Sequence, residues 1–224
     1  MFCCRHKRQA QGTFMHKQDD SQLRLILASQ SPRRIELLQG LGLSFEVFPS
    51  LIDEPVEFDD PWLVVESLAQ RKAQAVADIM LQSTAGNMNE RRTLILAADT
   101  VVAVGKEMLG KPASREEAYQ MLVRMSGRAH KVYTGVALLD VASSKTVVAH
   151  QATTVFFRSL DSAEMRAYAR TDEPFDKAGG YALQGCASAF VEKIEGCFSN
   201  VIGLPVPLTV KMLRSHAVSV LGLP

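Results

Sequence analysis

Leu25-Ile26-Leu27-Ala28-Ser29-Gln30-Ser31-Pro32-Arg33-Arg34-Ile35-Glu36-Leu37-Leu38 decides how the rest of the chain is read. Its first residues are an apolar run, too short to cross a membrane and bounded by polar residues, which is the pattern of a buried strand ending at Ser29. Ser31 has the side chain of an N-cap, and Pro32 suits the first helical position, where its missing N–H would have had no intrahelical partner. Ile35, Leu38 and Leu41 then share a helical face, with Leu37 beside it, and Gly40 and Gly42 offer a stop. A strand running straight into a helix leaves unpaired N–H groups and the positive end of a helix dipole aimed at one spot. The hydroxyls of Ser29 and Ser31 and the guanidinium groups of Arg33 and Arg34 surround it, and arginine suits bidentate contact with phosphate oxygens. The stretch reads as a phosphate cradle, with a capped helix carrying two solvated arginines as the plainer alternative.

Working outward, the 224-residue chain suits one substantial domain and can bury a sizeable core. Its formal net charge is +1, with the basic residues spread rather than striped, so no nucleic-acid or membrane partner is expected. Anion binding must be local. No apolar run approaches the roughly 18 residues of a membrane span and no signal-peptide core opens the chain, so a soluble cytoplasmic protein is expected. Cys3, Cys4, Cys186 and Cys197 have neither zinc-ligand nor disulfide-framework spacing. Residues 1–22 are polar, Gln-rich and aperiodic, which predicts a disordered tail ahead of a domain spanning residues 23–224.

Phe45 and Val47 predict a short strand leading to the loop Ser50-Leu51-Ile52-Asp53-Glu54-Pro55, which delivers carboxylates. From Pro61 a helix is expected, with Trp62, Val65, Leu68, Ala69 and Val76 as its apolar stripe; Arg71 and Lys72 project from it, ordinarily a solvated face. Thr93 to Ala98 repeats the buried-strand pattern and places Asp99-Thr100 at its end, where ligands of α/β sheets gather, before Val101 to Val104 continue extended. Gly105 to Lys111 fits the first part of a phosphate loop, but Pro112 stands where that motif needs Ser or Thr, so a hairpin is expected. Ser114 and Glu117 form a capping box for a helix whose apolar side is Tyr119, Leu122, Val123 and Met125. Val132 to Val141 and Lys145 to Arg158 predict a long antiparallel pair, and Asp161 with Glu164 caps a further helix to about Ala169. In the stretch Asp172 to Gly185, glycines permit close backbone approach to a ligand, while Asp176, Lys177 and Gln184 can read polar edges. Phe190 to Ile194 reads as a strand, Asn200 to Pro205 as a turn, and the residues after Pro207 as a closing helix.

Taken together and in order, S-x-S-P-R-R, I-D-E, A-A-D-T, G-K-P, D-K-A-G-G-Y-A-L-Q-G and N-V-I-G-L-P closely resemble the Maf family of nucleoside triphosphate pyrophosphatases, from about Leu25 to near the C-terminus. The resemblance implies an α/β fold similar to that of the inosine-triphosphate pyrophosphatases: a mixed, elongated sheet with flanking helices and two lobes around a cleft. It also implies a homodimer and a divalent metal, magnesium or manganese. The reaction implied is cleavage of a nucleoside triphosphate to the monophosphate and pyrophosphate. Asp99 takes the position of the family's proton acceptor, and Glu54 that of an acidic residue of the active site. Lys72 and Lys111 complete the catalytic set, and Glu54 and Asp99 would hold the metal. Ser29, Ser31, Arg33, Arg34, Thr100, Lys177 and Gln184 fall at substrate-binding positions.

Within the family, Arg33, Thr100 and Gln184 match the group acting on dTTP and UTP. The group acting on 7-methyl-GTP carries Trp, Gln and Glu at those places. The amide of Gln184 fits the alternating acceptor and donor edge of thymine or uracil, with Thr100 a small donor and Arg33 a fixed cation nearby. The alternatives are a 7-methyl-GTP pyrophosphatase and a mainly non-catalytic regulator of septum formation. The departures from the family pattern are the N-terminal extension and Cys186-Ala187-Ser188, where glycines are more usual.

Overall fold

The first strand, β1 (Leu23–Leu27), lies between two other strands of the sheet, with Leu25, Ile26 and Leu27 buried on its two faces and Arg24 paired with Glu46. The computed structural model describes residues 23–53, 57–83 and 91–221; the tail expected over residues 1–22 and the carboxylate Glu54 lie outside the described residues. In chain order β1 is followed by α1 (Pro32–Gln39), β2 (Glu46–Val47), α2 (Pro61–Ser83), β3 (Arg92–Val104), β4 (Glu107–Leu109) and α3 (Arg115–Met125). Then come β5 (Ala129–Asp140), β6 (Lys145–Phe157), α4 (Ser162–Ala169), β7 (Val191–Glu195), α5 (Phe198–Ile202) and α6 (Val206–Ser215). The strands form one seven-stranded mixed sheet in the order β2-β1-β3-β5-β6-β7, with β4 on β3. β2, β1 and β3 run parallel, whereas β3, β5, β6 and β7 are antiparallel. The expected mixed α/β architecture is what the chain adopts.

Alternation along the central strands sends side chains to two faces. Ile26 and Ala28 of the first segment, with Ile95 and Ala97 of β3, meet Ala69, Ala73, Val76 and Ala77 of α2 on one face. Leu25, Leu27, Leu94, Leu96 and Ala98 face the other way, onto a core closed by Leu38, Leu204, Met212 and Leu213. Further along that face a separate core gathers Val102, Val132, Leu122, Met125, Phe157, Tyr168, Tyr181 and Phe190 under α3 and α4.

Several local expectations change. Asp99 does not end a strand: β3 runs through it, paired with β5 from Leu94 to Ala103. Trp62 is exposed and stacks on His150 at 5.6 Å, and Val123 is exposed too, since α2 and α3 bury neighbouring stripes instead. Ser31 occupies the N-cap position of α1, but its side chain makes no capping hydrogen bond. Residues read as a turn around Asn200 contain the short helix α5, ended by Gly203 at φ +125. The Gly105 hairpin joins β3 to β4, so a phosphate loop is absent there. The caps expected at Ser114 and Asp161 do form: Ser114 Oγ accepts from Glu117 N at 3.1 Å, and Asp161 Oδ1 from Glu164 N at 2.8 Å.

Candidate active site

A break in one edge of β3 creates the site. β1 pairs with β3 only as far as Leu96, and β4 takes up pairing again at Val102, so residues 97–101 have no strand beside them on that edge among the described residues. A cavity of about 470 Å³ fills the gap, lined by Ser29, Arg34, Lys72, Asp99, Lys111 and Gln184 among others. Because Asp99 and Thr100 are consecutive in a strand they point to opposite faces, and the open edge lets both reach this one space.

Asp99 continues the Ile95 and Ala97 face toward α2, where it meets Lys72 with Nζ 2.6 Å from Oδ1. Both residues are buried, at 8% and 7% exposure, so the Asp99 carboxylate relies on the Lys72 ammonium for compensation. This corrects the solvated-face expectation for Lys72. Its burial traces to Gly135, the β5 residue opposite Asp99, where an added Cβ would lie 2.2 Å from Val65 O. Only a glycine lets α2 approach so closely, and Lys72 follows Val65 about two helical turns on.

On the other face Arg34 is held from three sides. Its Nε donates to Gly203 O at 2.8 Å, one terminal nitrogen donates to Ser29 Oγ at 3.2 Å, and the other to Thr100 Oγ1 at 3.0 Å. Thr100 also meets Thr134 Oγ1 at 3.0 Å, so its hydroxyl is engaged within the protein rather than simply offered to the cavity. Ser31 lies beside this cluster, its N–H donating to Ser29 Oγ at 3.3 Å.

The glycine-rich segment forms the opposite wall. Gly179 and Gly180 adopt φ +71 and +68, values that favour glycine, and a Cβ would lie 2.9 Å from Val102 at the first and 3.3 Å from Pro112 at the second. Arg33 reaches across to it, one terminal nitrogen donating to Asp176 Oδ2 at 2.8 Å. Lys177 donates to Glu173 O at 2.5 Å and pairs with Asp176, so its ammonium is used within the loop. Burial pushes the Asp176 carboxyl up, but the hydrogen bonds from Lys177 and Arg33 outweigh it and hold the group below the usual carboxylate range. Gln184 is exposed at the cavity, its amide without a hydrogen bond to the described residues. Lys111 is likewise exposed there, without an ion pair among the described residues.

Sequence reasoning missed Glu173, Thr134, Gly135 and Asn200. Glu173 accepts from Cys186 N at 2.8 Å and Tyr168 Oη at 3.1 Å, which ties down the start of the Cys186-Ala187-Ser188 segment. Asn200 is fully buried, its Nδ2 donating to Val132 O and Thr153 Oγ1, both at 3.0 Å. Asn200 stands at the head of N-V-I-G-L-P, but its partners are remote in sequence.

No cluster of three or more metal-ligating side chains exists among the described residues. Asp99 Oδ2 has no hydrogen-bond partner among those residues and is a hard oxygen donor at the cavity. That donor set fits a cation that takes one or two carboxylates and completes its shell with substrate phosphates and water, as magnesium does.

A family model described as Maf-like protein matches residues 24–216. The dTTP/UTP pyrophosphatase of Pelotomaculum thermopropionicum is 48% identical over 198 residues, covering 88% of this chain and 98% of that one. Those of Desulforamulus reducens and Symbiobacterium thermophilum are 46% and 47% identical, over 88% and 84% of this chain and 98% and 92% of their own lengths. A solved nucleoside-triphosphatase, a dITP/XTP pyrophosphatase from Mycobacterium abscessus, aligns with a TM-score of 0.40 and 11% identity over 87% of this chain and 95% of that one.

Proposed function

This chain belongs to the Maf-like protein family, and from that premise we propose that it hydrolyses nucleoside triphosphates, dTTP and UTP foremost, to the monophosphate and pyrophosphate. The observation that carries the reading is one cavity with a buried Asp99–Lys72 pair on one face of β3 and the fixed guanidinium of Arg34 on the other.

Water is a poor nucleophile toward an anionic phosphate until a base activates it and cations take up the developing charge. Asp99 accepts the proton of the attacking water. Lys72 keeps that carboxylate in place and supplies the counter-charge its burial requires. Arg34, Ser29, Ser31 and the N-terminus of α1 bind phosphate oxygens, and Lys111 approaches from the β4 side. As the new P–O bond to water forms, the bridging P–O bond breaks and pyrophosphate leaves carrying its charge. A magnesium or manganese ion held by Asp99 and Glu54 supplies further charge neutralisation when bound. The working protein is taken to be a cytoplasmic homodimer. Among the described residues no helix is long and apolar enough to cross a membrane.

The base is read by Gln184, whose acceptor and donor match thymine or uracil, while Arg33, anchored by Asp176, disfavours the positive ring of 7-methylguanine. We expect dTTP and UTP to be hydrolysed in preference to 7-methyl-GTP, GTP and ATP, and the Arg33→Trp, Thr100→Gln, Gln184→Glu variant to shift toward 7-methyl-GTP. Catalytic efficiencies over that panel decide it, and a wild-type preference for 7-methyl-GTP contradicts the assignment. Asp99→Asn should lower kcat by about a hundredfold or more with the fold retained. Near-normal turnover in that variant removes Asp99 as the base.

A further inference from the structure

We propose that Thr134 is a positioning residue which, backed by the Asn200 carbonyl, fixes the direction of the Thr100 hydroxyl proton and thereby holds Arg34 oriented for an anion. The inference deepens the reading above and rests on Arg34 facing the phosphates. It follows from counting protons. Thr134 Oγ1 lies 3.1 Å from Asn200 O, a carbonyl that can only accept, so the single proton of Thr134 is committed there. Thr100 Oγ1 lies 3.0 Å from Thr134 Oγ1, and since Thr134 has no second proton, Thr100 must donate to it. Arg34 can only donate, and it does so to Thr100 Oγ1 at 3.0 Å. The directions run without conflict from the guanidinium through both hydroxyls to the carbonyl. Thr100 therefore presents an acceptor, not the donor expected from its sequence position.

The reverse direction would set a Thr134 lone pair against the Asn200 carbonyl where both residues are wholly buried, leaving an acceptor pair facing each other without water. The end of the relay is itself pinned. Asn200 Nδ2 holds Val132 O and Thr153 Oγ1, and Asn200 O also accepts from Gly203 N at 3.0 Å. Gly203 O in turn accepts from Arg34 Nε at 2.8 Å. Two of the contacts that aim Arg34 thus trace back to one buried asparagine on α5. A guanidinium oriented before the anion arrives has less freedom to lose on binding.

Calorimetric titration of the full chain with inorganic pyrophosphate tests the relay independently of turnover. Thr134→Val should weaken binding by about tenfold, the size expected for misaligning one charged hydrogen bond, and Thr134→Ser should restore it to within about twofold. Thr100→Val, at a partly exposed position, should weaken it as much by itself, and adding Thr134→Val to it should cost no more than about a further twofold, because both act through the same contact. Wild-type affinity in Thr134→Val or in Thr100→Val, or losses that multiply in the double variant, overturns the proposal; Thr100→Val still decides it if Thr134→Val does not fold. A wild-type protein that hydrolyses dTTP while these variants bind pyrophosphate normally refutes the relay alone. Coupled binding without turnover refutes the hydrolase reading alone.

Discussion

At the scale of single residues the site depends on charges that cannot be hydrated. Asp99 is buried against Lys72, so removing the lysine leaves its carboxylate uncompensated, a loss of about 3–5 kcal/mol for a buried pair. Lys72→Met should lower the unfolding free energy from a denaturant titration by that order at pH 7, and Asp99→Asn added to it should recover part of the loss. A double variant no more stable than Lys72→Met would mean the pair is not a unit. His130 is a second case. Burial pushes it down to about 4 from an ordinary 6.5, while its Nε2 bonds Tyr181 Oη at 2.7 Å. As pH falls through 6.5 the unfolded chain takes up a proton that the folded chain refuses until about 4. Stability is therefore fully present above about pH 6.5 and declines toward pH 4, by about 3 kcal/mol in all for this group. Thermal melts from pH 7 to 4.5 should show the decline, and His130→Gln should flatten it. Arg34 and the Gln184 amide were legible as candidates because helix starts and glycine loops mark themselves in sequence, and Asp99 because a carboxylate directly follows a buried apolar run. The burial of Lys72 was not, since a helix shows its own periodicity but not the glycine on a distant strand that lets it sink.

Elements show the same division. Hydrophobic period and caps were enough to place α3, α4 and the β5–β6 pair, where local chemistry and tertiary packing agree. They were not enough for α5, a single short helix with no side-chain cap hydrogen bond, nor for the continuity of β3 through Asp99. Alternation along β3 cannot reveal that its neighbour β1 stops at Leu27 and opens an edge. The registered pairs Asp99 with Gly135 and Thr100 with Thr134 show one strand serving the other's two faces: Gly135 admits α2, and Thr134 supports Arg34. Gly135→Ala should force α2 off the sheet, costing roughly 1–3 kcal/mol as overpacking and lowering kcat by displacing Lys72. Melting temperature and kcat measured together check it. An unchanged kcat would separate the close approach of α2 from the placement of Lys72.

Over the whole molecule, the two cores on the α6 face of the sheet are separated by a polar seam of Arg34, Thr100, Thr134 and Asn200. The cavity opens along that seam, and the Arg33–Asp176 pair spans it from α1 to the glycine-rich loop. A protein that needs to bind a polyanion gathers its buried polar groups where the apolar cores leave off, and the arrangement suits a substrate lying across the open edge of β3. Motif order alone pointed to the family and the general fold. It could not show that the seam exists, because its members come from four separate stretches of chain. The central claim is that this cavity cleaves a nucleoside triphosphate between its first and second phosphates. Phosphorus NMR of the full chain incubated with dTTP and magnesium tests it most directly. The account predicts dTMP and pyrophosphate in equal amounts, and their formation slowed about a hundredfold or more with Asp99→Asn. Release of orthophosphate with dTDP, or no turnover of any nucleoside triphosphate, would contradict it.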